Sequence, residues 1–433
     1  MSNITSLFKE NKNNTWILFY IVLGVIQALW TNMSSFPPLP FRLLMIFAVF
    51  IPLVFKRELI LFAIPFFMTL RGQLATDYQY LPDINTYIFY FGVLTIVFCI
   101  HGSSVNLKNY NYLLPLIIFC FYLFLIDIFF TQDIGPYVKH IFFGLFFALF
   151  IVKKTDIHIL SAALIAVSIL LAVYYILMYD QFLQVYNTAE GVERSGWNDP
   201  NYFAILLGTG FMIAVLYLLN YLQSDLFIFN KHILLVGTFV IFSAVVMTAS
   251  RAGFFVVSAT AIFALVKSKT KITTVLRFIL IAFVFIFVLY KAGIFDTLIF
   301  RILDEGNIDT GGSRTIIWKR VCDNFSSQPI RFQLFGGGYW HRAFLSHGRE
   351  THNEFLAILS DYGILGIIIF LSILFSMFIG RGSSNKESKV STIFYILAIT
   401  TLSPFQHVYI VFFIIWVLSI KKFKHIDDIE ITN

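Results

Sequence analysis

Apolar residues run along this chain in long stretches separated by short polar breaks, and almost no charge falls inside a stretch. The pattern predicts helical spans at roughly 15–31, 41–55, 58–71, 86–101, 112–130, 137–152, 157–179, 201–222, 232–248, 251–266, 274–291, 354–379, 389–403 and 405–420. Most runs have the length that carries a helix across a hydrocarbon core of ~30 Å, whereas a barrel strand needs only ~10 residues of alternating polarity. The fold expected is therefore an all-α integral membrane protein, a polytopic bundle of about 12–14 transmembrane helices. The first run, Trp16 to Trp30, has no small-residue cleavage site behind it and is expected to remain as the first helix.

Composition agrees with the pattern. At 58% hydrophobic and only 13% charged residues, a soluble fold would leave far more apolar surface in water than such proteins tolerate. Of the three cysteines, Cys99 and Cys120 sit in apolar runs and Cys322 in a polar segment, so no disulfide framework is expected. No metal-ligand spacing, phosphate-cradling loop, dinucleotide fingerprint or internal repeat appears, and neither a metal nor another cofactor is expected. The net charge of +7 does not by itself call for nucleic acid; in a membrane protein the placement of positive charge matters more than its sum.

That placement sets a topology. With the N-terminus in the cytoplasm, 18 of the 31 basic residues fall on the inner side, 15 of them lysines. The short outer loops then hold only Arg42, Arg71 and Lys139, as the positive-inside rule requires, and both termini come out cytoplasmic. The whole outer set contains 10 arginines and 3 lysines. Lysine suffices to hold a loop against an anionic leaflet, whereas the planar fork of arginine grips a phosphate through two parallel hydrogen bonds. The excess of outer arginine therefore points to phosphate recognition, against the plainer reading of scattered headgroup contacts.

Two outer loops are long, and they divide the chain into N-terminal helices (1–180), a first loop (181–200), central helices (201–291), a second loop (292–353) and C-terminal helices with a tail (354–433). The first loop ends in GVERSGWNDPNYFAI, where Asp199 suits a helix cap and Pro200 its first turn. In the second, an amphipathic helix is expected from Ser313, with Ile317, Val321 and Phe325 on one side and Arg314, Trp318 and Cys322 on the neighbouring stripe. It is expected to lie on the membrane surface and to end at Pro329. Gly336, Gly337 and Gly338 then allow close approach of the backbone to a neighbour. Asp127 and Asp361 fall within apolar spans and must face protein or water.

Three blocks, in this order, resemble the O-antigen ligase and polymerase superfamily, whose members carry a Wzy-type C-terminal domain. They are RSGWNDPNY (Arg194 to Tyr202), TASRAG (Thr248 to Gly253), and a final block in which Ser313, Arg314 and Trp318 precede Gly336 to Gly338, His352, Asn353, Gly363 and Gly366. The resemblance covers roughly residues 190–380 and implies a GT-C type fold working without a metal on the outer (periplasmic) face of the bacterial inner membrane. The implied donor is a glycan on undecaprenyl diphosphate. The implied acceptor is the hydroxyl of another lipid-linked repeat unit for a polymerase or of a lipid A core for a ligase. A chain-length regulator is a further possible partner.

A lipid diphosphate is already a good leaving group, so the chemistry needs positive charge for the departing anion and a base for the acceptor proton. His352, whose imidazole titrates near working pH, is the expected base; the alternative is a helix-capping contact. Arg194, Arg251 and Arg314 are the expected diphosphate ligands, against snorkelling or surface anchoring. Asn201, Trp318, His341, Arg342, His347, Arg349, Asn353 and His407 are candidate substrate contacts. Gly363 and Gly366 are expected to serve close helix packing. A transporter or flippase fits the hydropathy as well, but it would call for duplicated halves and charge near the bilayer midplane, whereas here the polar chemistry gathers in two outer loops.

Overall fold

The computed structural model describes residues 14–31, 39–74, 86–101, 111–179, 199–222, 229–268, 270–303, 314–349, 351–379, 386–402 and 407–432, and among these the chain is helical with no extended strand. A helix stands at each predicted span: α1 (Asn14–Thr31), α2 (Leu39–Phe55), α3 (Ile60–Leu74), α4 (Thr86–His101), α5 (Leu114–Phe130), α6 (Pro136–Ala148), α7 (Lys154–Leu177), α8 (Pro200–Leu218), α9 (Lys231–Met247), α10 (Arg251–Lys267) and α11 (Ile272–Lys291). Four helices of the polar segment and its approach follow, α12 (Asp296–Leu303), α13 (Arg314–Ser326), α14 (Ile330–Phe335) and α15 (His341–Ser346), and then α16 (Glu354–Phe378), α17 (Lys386–Thr401) and α18 (Val408–Thr432). The segments Asn111–Phe130, Lys154–Leu177, Pro200–Leu218 and Glu354–Phe378 are long and apolar enough to cross a bilayer, and the protein is an all-α membrane protein.

The chain divides into two compact units, residues 1–105 with 146–295, and residues 106–145 with 296–433. In the first, α8 forms the core, buried along almost its whole length. Small residues let its neighbours close on it: a Cβ at Gly210 would meet Ser168 Oγ of α7 at 2.3 Å. In the second unit the interior helix is α18, whose Tyr409–Ile420 stretch is buried around Trp416.

The expected amphipathic helix is α13. Ile317 and Val321 are buried, Trp318 and Phe325 are half-buried, and Pro329 stands at the start of α14. Gly363 serves the close helix packing expected of it and also kinks α16. It interrupts that helix with φ +69 and ψ −171, and a Cβ added there would lie 2.5 Å from the Leu334 carbonyl. The kink thus lets the backbone of α14 close on α16.

Candidate active site

In the first unit the two sequence blocks meet. Asp199 caps α8, accepting from the Asn201 amide at 2.7 Å and from Asn201 Nδ2 at 2.9 Å. Asn201 Oδ1 accepts in turn from Ser250 Oγ at 2.8 Å, while Ser250 caps α10 by accepting from Gly253 N at 3.0 Å. A Cβ at Gly253 would sit 2.3 Å from that of Ala204, so only glycine lets the two helix starts close this far. Arg251 follows at the first position of α10 and is half-buried. Asn201 is buried with both ends of its amide engaged, which makes it the joint that holds the Arg251 turn. Arg194 lies outside the described residues.

In the second unit a different set converges. Arg314, at the start of α13, donates from Nη1 to the Thr401 carbonyl at 2.9 Å. The Asn353 side chain donates to the preceding carbonyl, Thr400, at 3.2 Å, and its Oδ1 accepts from Leu356 N to cap α16. Trp318, one turn along α13, donates its indole N–H to the Thr351 carbonyl at 2.7 Å. His352 therefore stands between two pinned neighbours, with its backbone in the left-handed region at φ +47 and its ring half-buried. A positive φ is uncommon for a non-glycine residue, and residues so held are found disproportionately at functional sites. Arg314 also suits the carbonyl end of α17 electrostatically. His407 is half-buried and stacks on Tyr409 at 5.7 Å.

Arg342 is a correction. It was expected as a polar contact on an outer loop, but it is fully buried and ion-paired with Asp361 at 2.9 Å. Its Nη1 also donates to Tyr137 Oη at 2.9 Å, its backbone N–H donates to Asp361 Oδ1 at 2.6 Å, and its guanidinium lies 5.0 Å from the Trp340 ring. The Tyr137 hydroxyl also bonds to Glu354, another fully buried carboxylate. Asp127 completes the anchor by accepting from Gly135 N at 2.8 Å and Tyr339 N at 2.9 Å. Asp127 and Asp361 thus face protein, as their apolar surroundings demand. Glu354 and Tyr137 carried no sign of this role in the sequence beyond being polar groups at the edges of apolar runs.

The remaining candidates part company. His347 and Arg349 are exposed. His341 is sandwiched between Phe332 at 5.6 Å and Phe344 at 5.8 Å, and burial holds its imidazole below the usual histidine range.

Residues 236–371 match the family model described as O-antigen ligase. The match supports the O-antigen polymerase and ligase superfamily for this stretch. The superfamily match takes in Arg251, Arg314, Trp318, His352 and Asn353, while Asn201 and His407 lie outside it. No curated protein matches the chain. The match points to a membrane enzyme of glycosyltransferase type in the making of O-antigen or lipopolysaccharide.

Proposed function

We propose that the protein is a polysaccharide polymerase of the GT-C type. It moves a glycan chain from undecaprenyl diphosphate to the non-reducing-end sugar of another lipid-linked repeat unit, O-antigen or capsular, at the periplasmic face of the inner membrane. The fourteen helices that coincide with apolar runs supply the 12–14 crossings of this reading, with both termini cytoplasmic. The observation that carries it is the gathering of Arg314, Trp318, His352 and Asn353 where α13, α16 and α17 meet. In the step envisaged, the acceptor hydroxyl attacks the anomeric carbon, and the bond from that carbon to the diphosphate oxygen breaks with inversion. His352 takes the hydroxyl proton, and Arg314 meets the departing anion with a fork suited to two phosphate oxygens. The exposed His347 and Arg349 are available to the glycan in this reading.

Ligation to a lipid A core is the second reading, favoured by the description of the family that matches. A deletion in the native host, complemented with wild type or His352→Ala, separates the two. Single repeat units on the lipid A core mean a missing polymerase, whereas long chains left on undecaprenyl diphosphate beside a bare core mean a missing ligase. Complementation by His352→Ala as complete as by wild type would remove His352 as the base.

A further inference from the structure

The α14–α15 hairpin exposes more apolar surface than a loop in water sustains. Ile330 is 68% exposed, Phe344 70% and Trp340 48%, and Leu334 and Phe335 are open as well. Looseness does not explain this, because the hairpin is fastened at several points. Gly338 N donates to the Asp361 carbonyl at 2.8 Å, Tyr339 N to Asp127, and the Arg342–Asp361 pair lies beneath it. Its side chains are therefore held outward by a rigid base.

The base itself belongs to apolar helices. Asp127 stands near the end of α5, and Asp361 lies at the kink of α16. Those helices present Phe121 and Phe129 on α5, and Ile368 and Phe375 on α16, as bare apolar surface, the face that a spanning helix gives to lipid. Phe332 of α14 meets Phe130 at the end of α5 with ring centroids 5.6 Å apart, so the hairpin's apolar surface continues that of the spanning helix. A basic side chain borders it: Arg331 is exposed, and its guanidinium lies 4.7 Å from the Phe332 ring. Aromatic residues and arginines mixed at the end of a membrane helix are the composition of the bilayer interface.

We infer that the α14–α15 hairpin is an interfacial anchor. Its apolar side chains seat at the boundary between acyl chains and headgroups, and Arg331 lies at the phosphate level. Asn324 Nδ2 of α13 donates to the Leu345 carbonyl of α15 at 2.7 Å, so the anchor also fixes the depth of the helix that carries Arg314 and Trp318. The inference concerns the bilayer alone and stands whether or not the protein transfers glycans.

The test uses the full chain in lipid nanodiscs, with Cys99, Cys120 and Cys322 replaced by serine and a nitroxide label at Ile330→Cys, Phe344→Cys or, as a polar control, Ser327→Cys. At positions 330 and 344, collision with oxygen should exceed collision with a soluble nickel chelate, and the order should reverse at 327. A second measurement keeps the native cysteines: brominated phosphatidylglycerol should quench wild-type tryptophan fluorescence more than that of Trp340→Phe. Free access of nickel at 330 and 344 would place the hairpin in water and overturn the anchor. Exclusion of both reagents there, with no Trp340 quenching, would mean that a second copy or another protein covers the face, and would overturn it equally. Quenching of Trp340 by soluble oligosaccharide in place of brominated lipid would make the face a sugar platform instead.

Discussion

Arg342 and Arg314 belong to one polar stretch, and the fold treats them in opposite ways. Arg342 is closed in by an aspartate, a tyrosine hydroxyl and aromatic rings, and fastens the stretch to α6 and α16. Arg314 is only half-buried and touches the end of α17 through a carbonyl, beside the strained His352. Arg342 is paired and dry, whereas Arg314 stands half-buried at an edge, where its guanidinium meets a backbone carbonyl at a helix end. The buried anchor should therefore respond to substitution in stability, and the rim around His352 in rate.

The largest effect is expected at the anchor. Arg342→Met leaves Asp361 buried without its cation and should destabilise the protein by about 3–5 kcal/mol. The paired change Arg342→Met with Asp361→Asn removes both charges while keeping an acceptor for the residue 342 amide, and should restore more than half of that loss. Thermal unfolding in detergent reads both. A single variant as stable as wild type would mean that the ion pair does not hold the stretch.

Next come the glycines of the same region. Gly336 has φ +78 and sits where an added Cβ would come within 2.1 Å of the Asp361 carbonyl, whereas Gly348 has φ +80 and open space around it. Alanine at 348 meets only the left-handed backbone penalty, roughly 1–2 kcal/mol. Alanine at 336 adds overpacking of roughly 1–3 kcal/mol. Equal losses of melting temperature for the two variants would deny the close approach.

At the rim, Arg314→Lys keeps the charge but gives up the planar fork. Transfer should fall about tenfold, the worth of one charge-assisted hydrogen bond of roughly 1.5 kcal/mol, with the melting temperature little changed. A drop in stability without a drop in turnover would move Arg314 to the structural side of the comparison.

The helices were legible because their apolar runs are long and each break is polar; α5, α7, α8 and α16 fall where hydropathy puts them. The Arg314 and His352 rim was legible as a set of types in order, though nothing in the sequence showed that the end of α17 would gather them. Arg342 was misread because an arginine in a polar segment looks solvated, and burial depends on contacts distant in sequence. Its partner did leave a signal. Asp361 inside an apolar run demands a cation or donor, and Arg342 supplies both through its side chain and its own amide. The two observations answered one another, but only the kink at Gly363 brings the polar segment close enough to join them.

The smallest effect tests where the anchor ends. His341 adjoins Arg342 in sequence yet belongs to an aromatic stack, and its Nε2 is buried with no hydrogen-bond partner among the described residues. Burial lowers its pKa in the folded state, so between that value and the ordinary histidine value near 6.5 the unfolded chain binds the extra proton. The stability it contributes is fully present above the unfolded value and is lost as pH falls toward the folded one. Wild type should therefore lose more thermal stability between neutral and mildly acidic pH than His341→Phe, which keeps a ring between Phe332 and Phe344 and cannot take a proton. Parallel pH profiles for the two proteins would mean that His341 accepts its proton in place, and that the dry interior around Arg342 stops short of it.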